Sequence, residues 1–364
     1  MIPRILAFTI ILSPAAQDGE VDRILLRFNQ RREKVQGAAE FRRLLDETRG
    51  DLERFLRENP KHKDAARASY HVAESQLSSG QFEDGMKRLN ALLKDHPESE
   101  FAVSARFAIG EALLQKEDDA GARAAFEEFA RVHPKDERAL YARIYVAVTH
   151  QNEGRYDQAA ELLQAARRDF KDRPESWSAV MQLAIVHHVQ QKNADARRAL
   201  EEVIRDCPDR DAAQAARRHL AEYLKVGQEP PAFREKDLSG AELALEPLRG
   251  RVVVLYFFDS SITTAVGEAA FLKKTREAFK AEDLQIVGVS LDLDRKDLVF
   301  FRDVHKVSWP LLHDGKGYDG RLARLYDVRL LPALTVIDRK GKIRFFNIAG
   351  KDLRFAISKL LEEK

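Results

Sequence analysis

The sequence predicts an N-terminal α-helical solenoid followed by an α/β sandwich domain. Three observations carry this reading. Small residues recur every 37 positions between residues 73 and 196. Val252-Val253-Val254-Leu255-Tyr256-Phe257-Phe258 is an unbroken β-branched and aromatic run, the pattern of a strand buried on both faces of a parallel or mixed sheet. That run breaks into small polar residues and then a helical pattern with Phe271 and Leu272 on one face. Strand, short loop and helix N-terminus is where α/β proteins commonly place their chemistry, because the helix dipole there lowers a thiol pKa or holds an anion.

With 364 residues the chain has room for two or three domains, and 44% hydrophobic residues supply cores for them. Lys+Arg and Asp+Glu stand at 61 and 59, so no basic surplus exists to draw nucleic acid.

Residues 1–16 have the pattern of an export signal. Arg4 gives a positive start, residues 5–12 an apolar core, and Ser13-Pro14-Ala15-Ala16 a small-residue exit, after which the chain turns abruptly charged. The bland alternative is a short apolar strand or helix. The expectation is a soluble protein in the periplasm or outside the cell. The apolar stretch is too short to span a bilayer, and no later segment reaches about 18 apolar residues. No cysteine lies near the exit, which gives no support to a lipid anchor.

Residues 17–60 read as helix, with Leu25, Phe28, Phe41, Leu45, Leu52 and Phe55 as apolar positions and Asn59-Pro60 as a stop. Over residues 61–225 the chain repeats itself. Ala73, Gly110, Ala147 and Ala184 form one series, and Gly85, Ala122, Ala159 and Ala196 another. Leu89, Phe126, Leu163 and Leu200 keep the same register, while Pro60, Pro97, Pro134 and Pro208 close segments and Pro174 falls three residues late. Each unit is then a helix pair, with small residues where neighbouring helices cross closely. The pattern resembles the tetratricopeptide repeat: Gly80-Gln81-Phe82 and Gly154-Arg155-Tyr156 match its turn. The second and fourth repeats lack that glycine and aromatic, having Glu117 with Asp119 and Gln191 with Asn193. The reading is four repeats, a degenerate one ahead of them, and a last helix at residues 212–225. A stack of this kind presents a concave surface lined by the first helix of each pair, and the expected ligand is a protein or peptide. The bland reading is a spacer for the C-terminal domain.

Cys207 is the sole cysteine, which excludes an intramolecular disulfide. It has two readings, an intermolecular redox partner site or a small apolar filler at a helix end. His187 and His188 are adjacent on a helix, point about 100° apart and cannot chelate one metal together. His150 and His187 share a repeat position and are candidates to line the groove.

Residues 226–364 resemble the thioredoxin fold, in the branch of TlpA-like thiol–disulfide oxidoreductases and AhpC/TSA redoxins. Gly227-Gln228-Glu229-Pro230-Pro231-Ala232-Phe233 is like the entry motif of that branch, and Leu248-Arg249-Gly250-Arg251 like its "L-x-G-K". Residues 286–292 look like its second buried strand. Residues 326–343 match "YGV-x-x-x-P-x-x-x-x-ID-x-x-G-x-I". The resemblance implies a W-C-x-x-C site after the first core strand. Here Ser261, Ile262, Thr263, Thr264 and Ala265 occupy those positions, so Ile262 and Ala265 replace both cysteines. Thiol exchange needs a thiolate, which neither residue supplies. Thr263 and Thr264 are expected to cap the helix or to line a binding face. The resemblance makes Pro332 the cis proline beside which relatives pair with an extended peptide, and Leu331-Pro332 is therefore a candidate binding edge. Asp292, Asp294, His313 and Asp314 fall at strand ends and assemble no nucleophile with a base. No catalytic residue, metal or cofactor is expected. The expected function is non-catalytic protein binding. The alternative is a thiol–disulfide oxidoreductase or peroxiredoxin-like enzyme acting through Cys207 or a partner's thiol.

Overall fold

The computed structural model describes residues 19–35 and 38–363, and the expected export signal lies outside them. The chain forms two compact units, Met1–Glu153 with Asp157–Asp172, and Gly154–Tyr156 with Arg173–Lys364.

In the first unit, α1 (Glu20–Arg32) and α2 (Ala38–Glu58) lead into the helix pairs α3 (Ala65–Ser78) and α4 (Phe82–Asp95), α5 (Glu100–Gln115) and α6 (Asp119–Val132), and α7 (Ala139–Asn152) and α8 (Tyr156–Asp169). Local chemistry starts several of these helices. Ser99 Oγ accepts from Phe101 N at 3.2 Å, and Asp118 Oδ1 accepts from Gly121 N at 2.9 Å. Each supplies one of the acceptors that a helix start lacks. The small-residue series sits at the crossings: Ala73, Ala122, Ala147 and Ala159 are fully buried. A Cβ on Gly85 would lie 2.7 Å from the Leu77 side chain, so the helices touch through hydrogen atoms there. A buried ion pair, Arg67 Nη1 to Asp22 Oδ1 at 2.7 Å, ties α1 to α3.

The turn between paired helices needs one residue in the left-handed region. Gly80 (φ 79) and Gly154 (φ 77) supply it, and Glu117 (φ 60) and Gln191 (φ 59) take the same conformation one repeat on from each. The two repeats that lack the glycine therefore keep the turn and carry its strain.

The second unit begins with α9 (Trp177–Val189), α10 (Asn193–Asp206) and α11 (Arg210–Tyr223). A hairpin of β1 (Arg234–Lys236) and β2 (Glu242–Ala244) follows. The main sheet is built from β3 (Val252–Phe258), β4 (Leu284–Ser290), β5 (Leu311–His313), β6 (Ala333–Ile337) and β7 (Ile343–Phe346), ordered β5-β4-β3-β6-β7. Helices α12 (Thr263–Ala278), α13 (Arg295–His305), α14 (Arg321–Leu325) and α15 (Gly350–Glu362) complete the domain. Strand β3 runs parallel to β4 and antiparallel to β6, and every one of its residues is buried. Its central place explains the absence of polar alternation in its sequence. One side packs Val253, Leu255 and Phe257 against Phe233, Val287 and Leu312.

The free edge of this sheet is covered from within the same unit. Gly227 N donates to Ile343 O at 2.8 Å, and Ile343 N to Gln228 O at 2.9 Å. Phe346 N donates to His188 Nε2 at 3.1 Å, and Asn347 Nδ2 to Glu222 Oε1 at 2.8 Å. Arg344 binds Gln191, Glu363 and Asp338. An uncovered edge strand is a template for unwanted pairing, and α9, α11 and the segment after them remove it. Gly227 and Gln228, at the start of the entry motif, thus serve as backbone partners of β7.

Candidate functional site

The site is built on the C-terminal ends of β3 and β4 and the N-terminal end of β6. Parallel pairing brings Phe258 beside Ser290, and antiparallel pairing brings Phe257 beside Ala333. The loop after β3 and the segment before β6 therefore emerge at one end of the sheet.

Two carboxylates hold the first loop. Asp259 Oδ1 accepts from Ser261 N at 2.9 Å and Ser261 Oγ at 2.6 Å. Asp292, buried at the end of β4, accepts from Ser260 N at 3.0 Å and Ser260 Oγ at 2.6 Å through Oδ1, and from Ser290 Oγ at 2.6 Å through Oδ2. A buried carboxylate is stable only when its lone pairs are used, and three donors do that here. His313 Nε2–H donates to Asp292 O at 2.7 Å. Both loop hydroxyls are thus spent on carboxylates.

Ile262 is the N-cap of α12, with φ −81 and ψ 120 and no side-chain hydrogen bond. Ala265 is 1% exposed, one turn inside. Thr263 and Thr264, expected as caps, are the first two residues of the helix itself. A capping side chain must stand on the residue ahead of the first helical one, and that position falls to an isoleucine without an acceptor. Thr264 is exposed.

The Leu331–Pro332 bond is cis. Leu331 packs against the β3 core cluster, while Leu330 ahead of it is 50% exposed. Leu293, next to Asp292, is 77% exposed, and Tyr318, whose phenol lies within the field of Asp259, is 50% exposed. This end of the sheet presents apolar side chains around a rigid polar loop.

Two further groups, half-buried Glu268 on α12 and buried Tyr256 on β3, carry no sequence motif. Glu268, one turn beyond Ala265, has its carboxyl pushed above the usual range by burial. Tyr256 stacks on Phe258 at 5.0 Å, its hydroxyl has no hydrogen-bond partner among the described residues, and burial with the Glu268 charge raises its pKa.

The other candidates lie elsewhere. Cys207 is the C-cap of α10, half-buried against the cluster formed by Trp177, Val203 and Ala216. His187 is half-buried at the end of α9 and is pushed toward neutrality by burial. His150 is half-buried at the end of α7 in the other unit. His188, which the sequence offered only as a neighbour of His187 unable to share a metal with it, is completely buried. Among the described residues no three His, Cys, Asp or Glu gather as metal ligands, and no helix is long and apolar enough to cross a membrane.

Comparison with known proteins gives three family matches along the chain. Residues 226–346 match the AhpC/TSA family, residues 147–211 the tetratricopeptide repeat, and residues 64–153 a family described as outer membrane lipoprotein. The thioredoxin-like protein YneN of Bacillus subtilis is 27% identical over 128 residues, 34% of this chain and 72% of that protein. The thiol-disulfide oxidoreductase ResA of Bacillus thuringiensis is 27% identical over 124 residues, 34% of this chain and 69% of that protein. Among solved structures, the thioredoxin domain of a thiol-disulfide oxidoreductase from Bacteroides vulgatus is 26% identical, with a TM-score of 0.35, covering 37% of this chain and 97% of that one.

Proposed function

We propose that this chain, an AhpC/TSA-type redoxin domain carried behind tetratricopeptide repeats, is an exported protein-binding scaffold whose redoxin domain turns over no disulfide. One observation carries the reading: the two positions that would hold the cysteine pair are Ile262 and Ala265, and the only thiol of the sequence, Cys207, belongs to a helical repeat. Disulfide exchange proceeds through a mixed disulfide that a second thiol resolves, and the chain offers no second thiol.

Binding is what the remaining features support. The loop after β3 is rigidly tied by Asp259 and Asp292, and the rim exposes Leu293, Tyr318 and Leu330. Exposed apolar groups around a fixed backbone suit an extended peptide segment. The face made by α3, α5 and α7, the first helices of the repeats in the first unit, is the second surface, and protein ligands are the usual occupants of such stacks. Export is supported by the pattern of residues 1–16 and by the likeness of residues 64–153 to an outer membrane lipoprotein family.

The test is dithiol-driven reduction of a protein disulfide by the full chain and by Cys207→Ser. Absence of turnover in both is the expected result. Turnover that vanishes in Cys207→Ser would replace this reading with an enzyme acting through the repeat thiol.

A further inference from the structure

We infer that His188 is a proton-operated latch: mild acid releases the last repeat from the sheet edge and uncovers β7. The ring is completely buried. Its Nε2 accepts the backbone N–H of Phe346 at 3.1 Å, so that nitrogen carries no proton. Its Nδ1–H donates to Asn193 Oδ1 at 3.3 Å. The ring stacks on Tyr223 at 3.9 Å between centroids, and Phe345 meets it edge-on at 5.5 Å. Only the neutral tautomer fits these contacts. A proton on Nε2 would set one donor against another, and the partners of the two ring nitrogens, a backbone N–H and an amide oxygen, carry no negative charge.

The surroundings do not compensate. Helix α9 adds His187, itself pushed toward neutrality by burial. Helix α10 contributes the uncharged Asn193. Helix α11 brings Tyr223, His219, whose charge opposes that of His188, and Glu222, whose carboxylate is engaged by Asn347 Nδ2 and lies 3.4 Å from His219. Strand β7 brings Arg344, a cation already bound to Glu363 and Asp338. Burial, the largest cause, pulls the pKa of His188 down to about 4.

A histidine exposed by opening titrates near 6.5 while the closed one stays neutral to about 4. Opening therefore becomes up to tenfold easier per pH unit between those limits, roughly 15-fold from pH 6.5 to 5. What opens is the β7 edge, whose Phe346 and Ile343 amides lose their partners and can then pair with another extended chain.

Amide hydrogen exchange on the full chain, divided by the intrinsic rate at each pH, reads this directly. Protection of Phe346 should fall roughly 15-fold between pH 6.5 and 5 while Val254, in the middle of the sheet, keeps its protection. Constant protection at Phe346, or equal losses at both amides, overturns the latch. His188→Gln supplies an amide oxygen that accepts without titrating, and its Phe346 protection should be flat with pH; a fall matching the wild type overturns the inference. Should that variant not fold, ring nitrogen shifts of the wild type decide: Nε2 unprotonated down to pH 5 supports the latch, and titration near pH 6.5 overturns it.

Discussion

The Cβ that Gly110 lacks would sit 2.7 Å from two carbons of the Phe126 ring, closer than any van der Waals contact allows. The other repeats have Ala with Leu at these two register positions: Ala73 with Leu89, Ala147 with Leu163, Ala184 with Leu200. The second repeat has exchanged volume between facing helices, losing a methyl on α5 and gaining a ring on α6. Phe126 is fully buried, with Phe107 and Tyr145 rings at 5.4 and 4.9 Å, so it has no room to yield. Gly110→Ala should cost about 1–3 kcal/mol by overpacking. In Gly110→Ala with Phe126→Leu the loss should be smaller than the sum of the single changes by about 1 kcal/mol or more. Urea midpoints of the four proteins measure this, and simple additivity would refute the swap.

Glu117 takes the left-handed turn that Gly80 and Gly154 take in their repeats. Its side chain is exposed, so it gains no packing there. A left-handed conformation costs an L residue about 1–2 kcal/mol, and glycine's extra unfolded-state entropy offsets about 0.5–1 of that. Glu117→Gly should therefore stabilise the first unit by about 0.5–1 kcal/mol, visible as a higher denaturation midpoint. Gln191 is a poorer site for the same change, because its side chain binds Arg344.

Glu111 on α5 is partly buried, faces the carboxylate of Glu74, and is pushed up to about 8, first by burial and then by that repulsion. A carboxyl raised in the folded state favours folding fully below its unfolded value, near 4.5, and loses that contribution as pH rises through 8. The first unit should thus weaken between pH 5 and 8, by about 1.4 kcal/mol per unit at most. Glu111→Gln keeps the shape and removes the proton. It should raise stability at pH 8 by about 2–4 kcal/mol and leave pH 5 nearly unchanged. Unfolding curves at the two pH values check it; equal slopes for both proteins would remove Glu111 as the cause.

What the sequence made legible follows from how local the cause was. The run at 252–258 reads as a doubly buried strand because burial on both faces erases alternation, and every residue of β3 is buried. The helix pairs read from a period, which any stacked repeat must keep. The turn at Glu117 did not, since the missing glycine hid a conformation that the stack imposes regardless. The cap of α12 failed for a related reason: two threonines offered oxygen, but the register set the cap one residue earlier, at Ile262. The role of His188 was not legible because its partner is a backbone N–H 158 residues away, and a main-chain donor leaves no trace in composition. His187, its neighbour, became a groove candidate through the repeat register it shares with His150.

The loop after β3 offers the most direct test of the reading that chemistry has been lost while the fold remains. Ile262 is the N-cap of α12, and Ala265 lies buried one turn inside. A thiol at a helix N-cap feels the unpaired backbone N–H groups and the dipole, which stabilise its thiolate. The backbone that presents these positions is set by Asp259 and Asp292, not by the side chains at 262 and 265. Ile262→Cys with Ala265→Cys should therefore give a dithiol that forms a disulfide within the loop and reduces protein disulfides at the expense of added dithiol, where the wild type does neither. The first of the two thiols should titrate below the ordinary 8.5. Adding Asp292→Asn should cut turnover at least several-fold, because Ser260 then loses its charged acceptor and the loop its fixed geometry. A dithiol variant that folds, oxidises and still turns over nothing would mean that loss of function reaches beyond the two sulfurs, to the surface that receives the substrate.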